Sequence, residues 1–258
     1  MRVYWLEQAE KDVPADNGWL STNELEHLQR LRFPKRRTDW RLGRWTAKRG
    51  IAACLNWPCH PGILARIEVC TTASGAPEAV VPNLPAPFSI SLSHSGRAAI
   101  CAVAPFGVAL GCDLEIIESR ADAFVEDYFT PHERFQVSRT VPAERPALVT
   151  LMWSAKESAL KALHEGLRLD TRSVTVDTKL GAADLSGWSP LRVCQVDGAT
   201  FYGWWRTTER MVYTIVANPM PAFPICLGEG EVPRQTELWV DLRMTMDVTT
   251  DVSSMARQ

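Results

Sequence analysis

Short apolar runs, separated by turn residues, recur along the chain and predict its strands. The run FGVALGCDLEIIE, residues 106–118, has the composition of a strand that is covered on both faces or nearly so. Strands are predicted at residues 3–6, 66–71, 88–94, 98–104, 107–117, 173–176, 191–196, 200–205 and 211–217.

The predicted helices of the first part of the chain have clear end signals. Ser21 and Glu24 have the spacing of a capping box and open a helix over STNELEHLQRL. A second helix is predicted at about residues 36–55, where a basic segment leads into IAACL. The prolines and the glycine of NWPCHPG end that helix.

Two more helices are predicted in the second part of the chain. Thr130, Pro131 and Glu133 fit the N-cap, N1 and N3 positions of a helix start. The next helix is predicted at about residues 147–165 and is expected to stop at Gly166. Its apolar stripe consists of Leu148, Leu151, Met152, Ala155, Ala159, Ala162 and Leu163.

Helices and antiparallel-type strands are mixed in both parts of the chain, which predicts an α+β fold. We divide the chain into an N-terminal half, residues 1–105, a C-terminal half, residues 106–225, and a tail, residues 226–258. The tail loses clear periodicity, and only residues 237–244 could form a further strand. No sharp linker and no obvious sequence repeat separates the halves.

Composition and charge narrow the class of protein. The 258 residues, 46% of them hydrophobic, suffice for one large domain or two small ones. A net charge of -2 gives no global field that favours nucleic acid or acidic lipid. No apolar run approaches the roughly 20 residues of a membrane span, and the N-terminus has no signal-peptide pattern. Seven cysteines without a CxxC pair predict a reduced, cytoplasmic protein without structural zinc.

Two acids lie in the apolar run GCDLEII. Residues two apart in a strand point the same way, so Asp113 and Glu115 share one face. Adjacent carboxylates repel each other unless a positive group lies between them. One explanation is an edge strand whose polar face meets water. The other is a hard cation such as Mg²⁺, since no histidine accompanies the pair, and this explanation requires a third oxygen ligand.

Glu157 is the candidate for that third ligand. In WSAKESALK, Trp153, Glu157 and Lys161 fall on one helix face. Glu157 and Lys161 could instead form an ordinary surface ion pair. A tryptophan one turn earlier fits that explanation less well, because it suggests that the face is partly covered.

Two further segments carry potential phosphate-binding groups. SISLSHSG places Ser93 and His94 at the end of a strand, where they bind phosphate or have a structural role. Residues 30–49 contain nine lysines and arginines and a single acid. Within this segment, one helix face carries cations that either bind phosphate or are solvated: Arg37, Arg41, Arg44 and Lys48.

These motifs together resemble the 4'-phosphopantetheinyl transferases of the larger, surfactin-synthetase-activating type. The resemblance rests on GCDLE, WSAKESALKA, SLSHS and RFPKRRTDWRLGR, in family order, and covers roughly residues 1–220. It implies a monomer of two similar pseudo-symmetric α+β halves with the active site in the cleft between them. It further implies transfer of the phosphopantetheine arm of coenzyme A to a serine of an apo acyl or peptidyl carrier protein, with release of 3',5'-ADP.

The resemblance also implies residue roles. Asp113, Glu115 and Glu157 would hold Mg²⁺, or Mn²⁺, against the coenzyme A diphosphate. Glu157 would act as general base, and Lys161 would stabilise charge on the leaving group. Ser93 and His94 match positions that touch the 3'-phosphate and the adenosine. The four basic residues Arg37, Arg41, Arg44 and Lys48 are the candidates for phosphate contacts.

One position departs from the family pattern. Many relatives carry Gly-Lys-Pro before the SLSHS strand, with the lysine on a coenzyme A phosphate, whereas this chain has Ala76. The absence of this lysine is expected to weaken coenzyme A binding roughly ten-fold unless another cation compensates, for which Arg66 and Arg97 are the candidates.

Two other functions remain open on the residues alone. One is a nucleic-acid-binding module that uses the basic helix with Trp40 and Trp45. The other is a Mg²⁺-dependent phosphohydrolase that uses the same acids with water as nucleophile. Carriers of fatty-acid, polyketide, nonribosomal-peptide and lysine pathways all fit the transferase.

Overall fold

The computed structural model describes residues 1–84, 88–165, 168–178, 187–196 and 198–228. It has a mixed α+β fold, as predicted. The predicted strand at residues 237–244 and the stop at Gly166 lie outside the described residues. No helix in the described ranges is both long and apolar enough to cross a lipid bilayer.

The first part of the chain builds a four-stranded sheet with a long helix on it. Its elements are β1 (Tyr4–Ala9), α1 (Thr22–Arg30), α2 (Pro34–Cys54), α3 (Pro61–Leu64), β2 (Glu68–Thr71), β3 (Pro77–Val80), β4 (Phe88–Ser95) and β5 (Ala98–Pro105). In this sheet β5 lies between β1 and β4, the fourth strand comes from the end of the second part of the chain, and β2 and β3 form a separate hairpin. Helix α2 packs on β1 and β5 over a core that includes Tyr4, Ile51 and Val103.

The second part builds a five-stranded antiparallel sheet in the order β6-β10-β9-β8-β7. Its elements are β6 (Ala109–Ile116), α4 (Asp122–Tyr128), α5 (Pro131–Arg139), α6 (Arg145–Ala162), β7 (Val174–Asp177), β8 (Ser189–Gln195), β9 (Thr200–Thr207) and β10 (Met211–Asn218), followed by β11 (Ile225–Cys226). Strand β11 returns to the first sheet and pairs parallel with β1.

The two sheets share an apolar core. Trp5 of β1 and Ile100 of β5 pack there with Leu114 of β6 and Ile215 of β10. Helix α6 covers the other face of the second sheet through Ala155, Ala159 and other small residues.

The predicted helix starts are confirmed. Ser21 caps α1 and Thr130 caps α5, each in a complete capping box with the glutamate three residues later. Helix α6 ends at Ala162, before the predicted end at 165, and His164 adopts a left-handed conformation with a φ of 58°. The short elements α3, α4, β3 and β11 were not predicted.

Both halves contain the same buried ion pair. The Glu24 carboxylate binds the ammonium of Lys48 and accepts the Val69 backbone N–H at 3.1 Å. The Glu133 carboxylate binds Lys156 at 2.9 Å and accepts the N–H of Val176 at 2.9 Å. In each half, one capping glutamate therefore joins a helix start, the long helix and the strand that follows.

Candidate active site

The candidate site lies where helix α6 crosses strand β6, and a glycine permits that crossing. Gly111 lies on the same face of β6 as Asp113. A Cβ atom at Gly111 would lie 1.8 Å from the carbonyl oxygen of Ser158, so no other residue allows this approach. The hydroxyls of Ser154 and Ser158 hydrogen-bond with that of Thr214 in β10, at 2.9 and 2.7 Å, and hold the helix along the sheet.

Asp113 is the most deeply buried of the three predicted acids, with 3% of its surface exposed. Its Oδ1 atom accepts hydrogen bonds from the Ser93 hydroxyl and from the Lys161 ammonium, each at 2.7 Å. Its Oδ2 atom is buried and has no hydrogen-bond partner among the described residues. A buried carboxylate oxygen without a partner is costly, so this atom suits an external cation or donor.

Lys161 brings a positive charge to the acids through its contact with Asp113. Burial alone would lower its pKa, but the Asp113 carboxylate and then that of Glu157 raise the pKa above the ordinary value. Its Nζ atom also donates to the carbonyl oxygen of Cys112 at 3.1 Å. The side chain is 27% exposed, so the ammonium remains accessible to a ligand.

Glu157 lies one helical turn before Lys161 and has an unusual carboxylate. Burial raises its pKa, the Lys161 ammonium opposes that shift, and the Asp113 carboxylate adds to it. Its Oε1 atom is buried without a hydrogen-bond partner in the described ranges. A half-buried carboxylate of raised pKa is the stronger base that proton transfer requires.

Glu115 lies at the outer end of the same strand face. Burial, followed by the neighbouring Asp113 carboxylate, raises its pKa to about 7. Its carboxylate accepts a hydrogen bond from Trp153 Nε1 at 3.3 Å and lies 3.7 Å from the Arg120 guanidinium. Trp153 itself packs against Phe124, so this helix face is partly covered, as the sequence suggested.

The three acids are not a preassembled metal cage. In the part of the chain that the structure describes, no three His, Cys, Asp or Glu side chains form a ready metal-binding group. The chemistry of the trio nevertheless fits a hard divalent cation. Asp113 and Glu157 have buried oxygen atoms without a hydrogen-bond partner among the described residues, and added positive charge would lower the raised pKa values of Glu115 and Glu157.

Strand β4 reaches the acids from the N-terminal half. The Ser91 Oγ atom accepts a hydrogen bond from the backbone N–H of Cys112 at 2.9 Å, two residues before Ser93 meets Asp113. The exposed His94 lies just beyond, with Nε2 4.0 Å from the carboxylate of Asp39. Ser93 thus contacts the acid cluster directly.

A first cavity, about 510 Å³ in volume, lies between helix α2 and the end of β4. Ser93 and His94 line it, together with Arg44, whose guanidinium lies 4.9 Å from the centre of the Trp40 ring. The remaining lining residues are Phe33, Lys35, Arg36, Asp39, Gly43 and Leu92. Lys35 and Arg36 were missed, because the chosen helical spacing selects a neighbouring face of α2.

Three of the four predicted basic contacts are occupied inside the protein. Arg37 donates to the carbonyl oxygen of Leu28 at 3.0 Å, and Arg41 donates to that of Asp16 at 3.0 Å. Neither residue lines the first cavity. The structure corrects the assignment of Lys48 to phosphate binding, because its fully buried ammonium is neutralised by Glu24.

A second cavity, about 560 Å³ in volume, meets the first at Leu92 and includes Lys161. Ala76 lies in its wall, but neither arginine expected to compensate for it does. Arg97 pairs with Glu10 at 2.8 Å, and Arg66 lies over the Trp57 ring at 5.6 Å. Arg168 lines this cavity instead, and no sequence motif singled it out.

Comparisons with known proteins agree on one family. The family model of the 4'-phosphopantetheinyl transferase superfamily matches residues 109–197, which include Asp113, Glu115, Glu157 and Lys161. The 4'-phosphopantetheinyl transferase HetI of Nostoc sp. is 27% identical over 165 residues, 63% of this chain and 67% of that protein. A 4'-phosphopantetheinyl transferase of Bacillus subtilis is 30% identical over 99 residues, 38% of this chain and 43% of that protein.

Proposed function

We propose that the chain is a member of the 4'-phosphopantetheinyl transferase superfamily and that it moves the phosphopantetheine arm of coenzyme A to a serine of an apo carrier protein. The larger, surfactin-synthetase-activating type, a monomeric state and a cytoplasmic location are parts of the same proposal. The proposal also includes the division of the protein into two halves, residues 1–105 and residues 106–225.

The main support for the proposal is the cluster of Asp113, Glu157 and Lys161, which lies at the interface between the two halves. The first cavity opens at Ser93, which binds Asp113, and the second includes Lys161. A long anionic substrate bound along this interface would therefore lie next to Lys161 and next to Asp113 and Glu157. Oxygen atoms of these two acids have no partner among the described residues and suit a cation. Groups that can bind phosphate, Arg44 and His94, lie in the first cavity.

The reaction requires groups that stabilise the negative charge of the diphosphate and of the leaving group, and a base that accepts the proton of the serine. The carrier serine oxygen forms a bond to the phosphorus that bears the pantetheine arm, and the bond from that phosphorus to the bridging oxygen breaks. Glu157, whose carboxylate lies one helical turn before Lys161, accepts the serine proton as the general base. The Lys161 ammonium stabilises the negative charge on the departing 3',5'-ADP. A Mg²⁺ ion held by Asp113, Glu115 and Glu157 would neutralise and orient the diphosphate.

The basic helix gives little support to nucleic-acid binding. Arg37 and Arg41 are bound to backbone carbonyls, and Lys48 is buried against Glu24. The phosphohydrolase would use the same acids as the transferase, so only the reaction products separate the two functions.

The deciding experiment is intact-mass measurement of several apo carrier proteins after incubation with coenzyme A and Mg²⁺. We expect one phosphopantetheine addition on at least one carrier, and none on the same carrier with its acceptor serine changed to alanine. EDTA should stop the addition and excess Mg²⁺ should restore it. Hydrolysis of coenzyme A without a carrier, and no addition to any carrier, would favour the phosphohydrolase.

A further inference from the structure

The second cavity is built from both halves of the protein. The tip of the β2–β3 hairpin, residues 74–77, forms one wall, and Lys161 near the end of helix α6 forms the opposite wall with His164, Glu165 and Arg168. Ile90, Leu92 and Leu110 give it an apolar floor. The helix side supplies the charged groups Lys161, Glu165 and Arg168.

Arg168 crosses from the helix side to the hairpin. Its Nη2 atom donates to the carbonyl oxygen of Ser74 at 2.6 Å and to that of His164 at 3.3 Å. Its Nε atom donates to the carbonyl oxygen of Glu165 at 3.1 Å. Three carbonyl contacts therefore hold an exposed guanidinium at the cavity wall, although the side chain alone would be flexible.

No acid of the described residues neutralises the charge of this guanidinium. Within the described ranges, no carboxylate forms an ion pair with Arg168 and its Nη1 atom makes no hydrogen bond. The nearby Arg172, by contrast, pairs with Asp170 at 2.8 Å. A positioned guanidinium with free N–H groups is a strong donor to phosphate.

The hairpin tip itself has no side chain that could bind phosphate through a positive charge. Ala76 contributes only a methyl group, and its carbonyl oxygen accepts the backbone N–H of Thr72 at 2.9 Å. The tip thus has fixed backbone geometry and no cation of its own.

We propose that Arg168 binds a phosphate group of the substrate in the second cavity. This inference rests on the proposed function for the identity of the substrate, coenzyme A. Two phosphate sources share the required chemistry, the 3'-phosphate of the ribose and the diphosphate.

The test is calorimetric binding of coenzyme A to the whole protein without any carrier, so that failure of carrier modification is scored separately. Arg168→Ala should weaken binding about ten-fold at low salt, and the loss should shrink as ionic strength rises. Arg172→Ala, the matched control, should bind like the parent protein. Adding Ala76→Lys to Arg168→Ala should restore most of the affinity.

One further ligand, 3'-dephospho-coenzyme A, distinguishes the two phosphate sources, and the melting temperature distinguishes phosphate binding from a purely structural role. If Arg168 meets the 3'-phosphate, the variant should lose little affinity for 3'-dephospho-coenzyme A. If it meets the diphosphate, both ligands should lose equally. Parent-like binding by Arg168→Ala at low salt would overturn the proposal. A salt-independent loss of affinity that accompanies a lower melting temperature would also overturn it, since Arg168 would then only tie the hairpin to the helix.

Discussion

At the residue scale, the two carboxylate oxygens of Asp113 have different roles. One accepts hydrogen bonds from the Lys161 ammonium and the Ser93 hydroxyl, and the other is buried without a partner among the described residues. We expect Asp113→Ala and Glu157→Gln to lower the rate of transfer at least about 100-fold, because each removes charge that is needed when phosphorus is attacked.

The measurement is single-turnover transfer to a carrier, with circular dichroism to confirm folding. Glu126→Gln, an exposed acid on α4, is the control and should be as active as the parent protein. Near-normal activity of Asp113→Ala would contradict the role given to this acid.

The raised pKa of Glu115 predicts a pH dependence of stability when no divalent cation is present. An acid whose pKa is about 7 in the folded state, above its ordinary 4.5, contributes stability at low pH. That contribution falls as the pH rises through 7, by on the order of 2 kcal/mol.

Melting temperatures between pH 5 and 8 in EDTA check this prediction. The parent protein should lose stability over this range, and Glu115→Gln should lose less. Equal slopes for the parent protein and Glu115→Gln would show that Glu115 does not titrate there.

At the element scale, the position of α6 on β6 depends on Gly111. Gly111→Ala should destabilise the protein by about 3 kcal/mol, because the new methyl group meets the Ser158 carbonyl and moves the helix. Gly43→Ala is the matched control: a Cβ atom there has no neighbour within 4 Å. That substitution should stabilise α2 by about 0.5–1 kcal/mol.

Urea unfolding of both variants gives the comparison. Equal stability of Gly111→Ala and the parent protein would mean that the helix can shift without cost, and that Gly111 does not set its distance from the strand.

Elements with local signals were predictable from the sequence, and contacts between distant elements were not. The capping boxes at Ser21 and Thr130 are local patterns and identify α1 and α5 correctly. Helix α4 has no side-chain cap, so no end signal marks it. Whether a basic residue of α2 is exposed to solvent depends on how α1 packs against it. Lys48 is buried because it forms an ion pair with Glu24 of α1, and the sequence of α2 alone does not show this contact.

At the scale of the whole molecule, the repeated ion pairs Glu24–Lys48 and Glu133–Lys156 reveal a common plan that the sequence comparison of the halves did not show. The spacing from each glutamate to the valine N–H that it accepts, 45 residues in one half and 43 in the other, was a signal that could have revealed it. Both ion pairs fix a long helix to a sheet, and only the second helix carries the acid cluster.

The common plan predicts that the first pair is structural. Glu24→Gln or Lys48→Met alone should each cost about 3–5 kcal/mol, because each leaves a buried group unpaired. The double variant should recover most of that loss, and its dissociation constant for coenzyme A should equal that of the parent protein. Weaker coenzyme A binding by a stable double variant would return Lys48 to the substrate site.

Strand β11 has a consequence for the order in which the protein is completed during synthesis. Ile225 donates its N–H to the Val3 carbonyl oxygen at 2.9 Å, and Leu227 donates to that of Trp5 at 2.9 Å. These bonds cover the edge of β1, which would otherwise be open to pairing with another chain. The first sheet is therefore finished only after residue 227 has left the ribosome, when the whole second sheet has already been made.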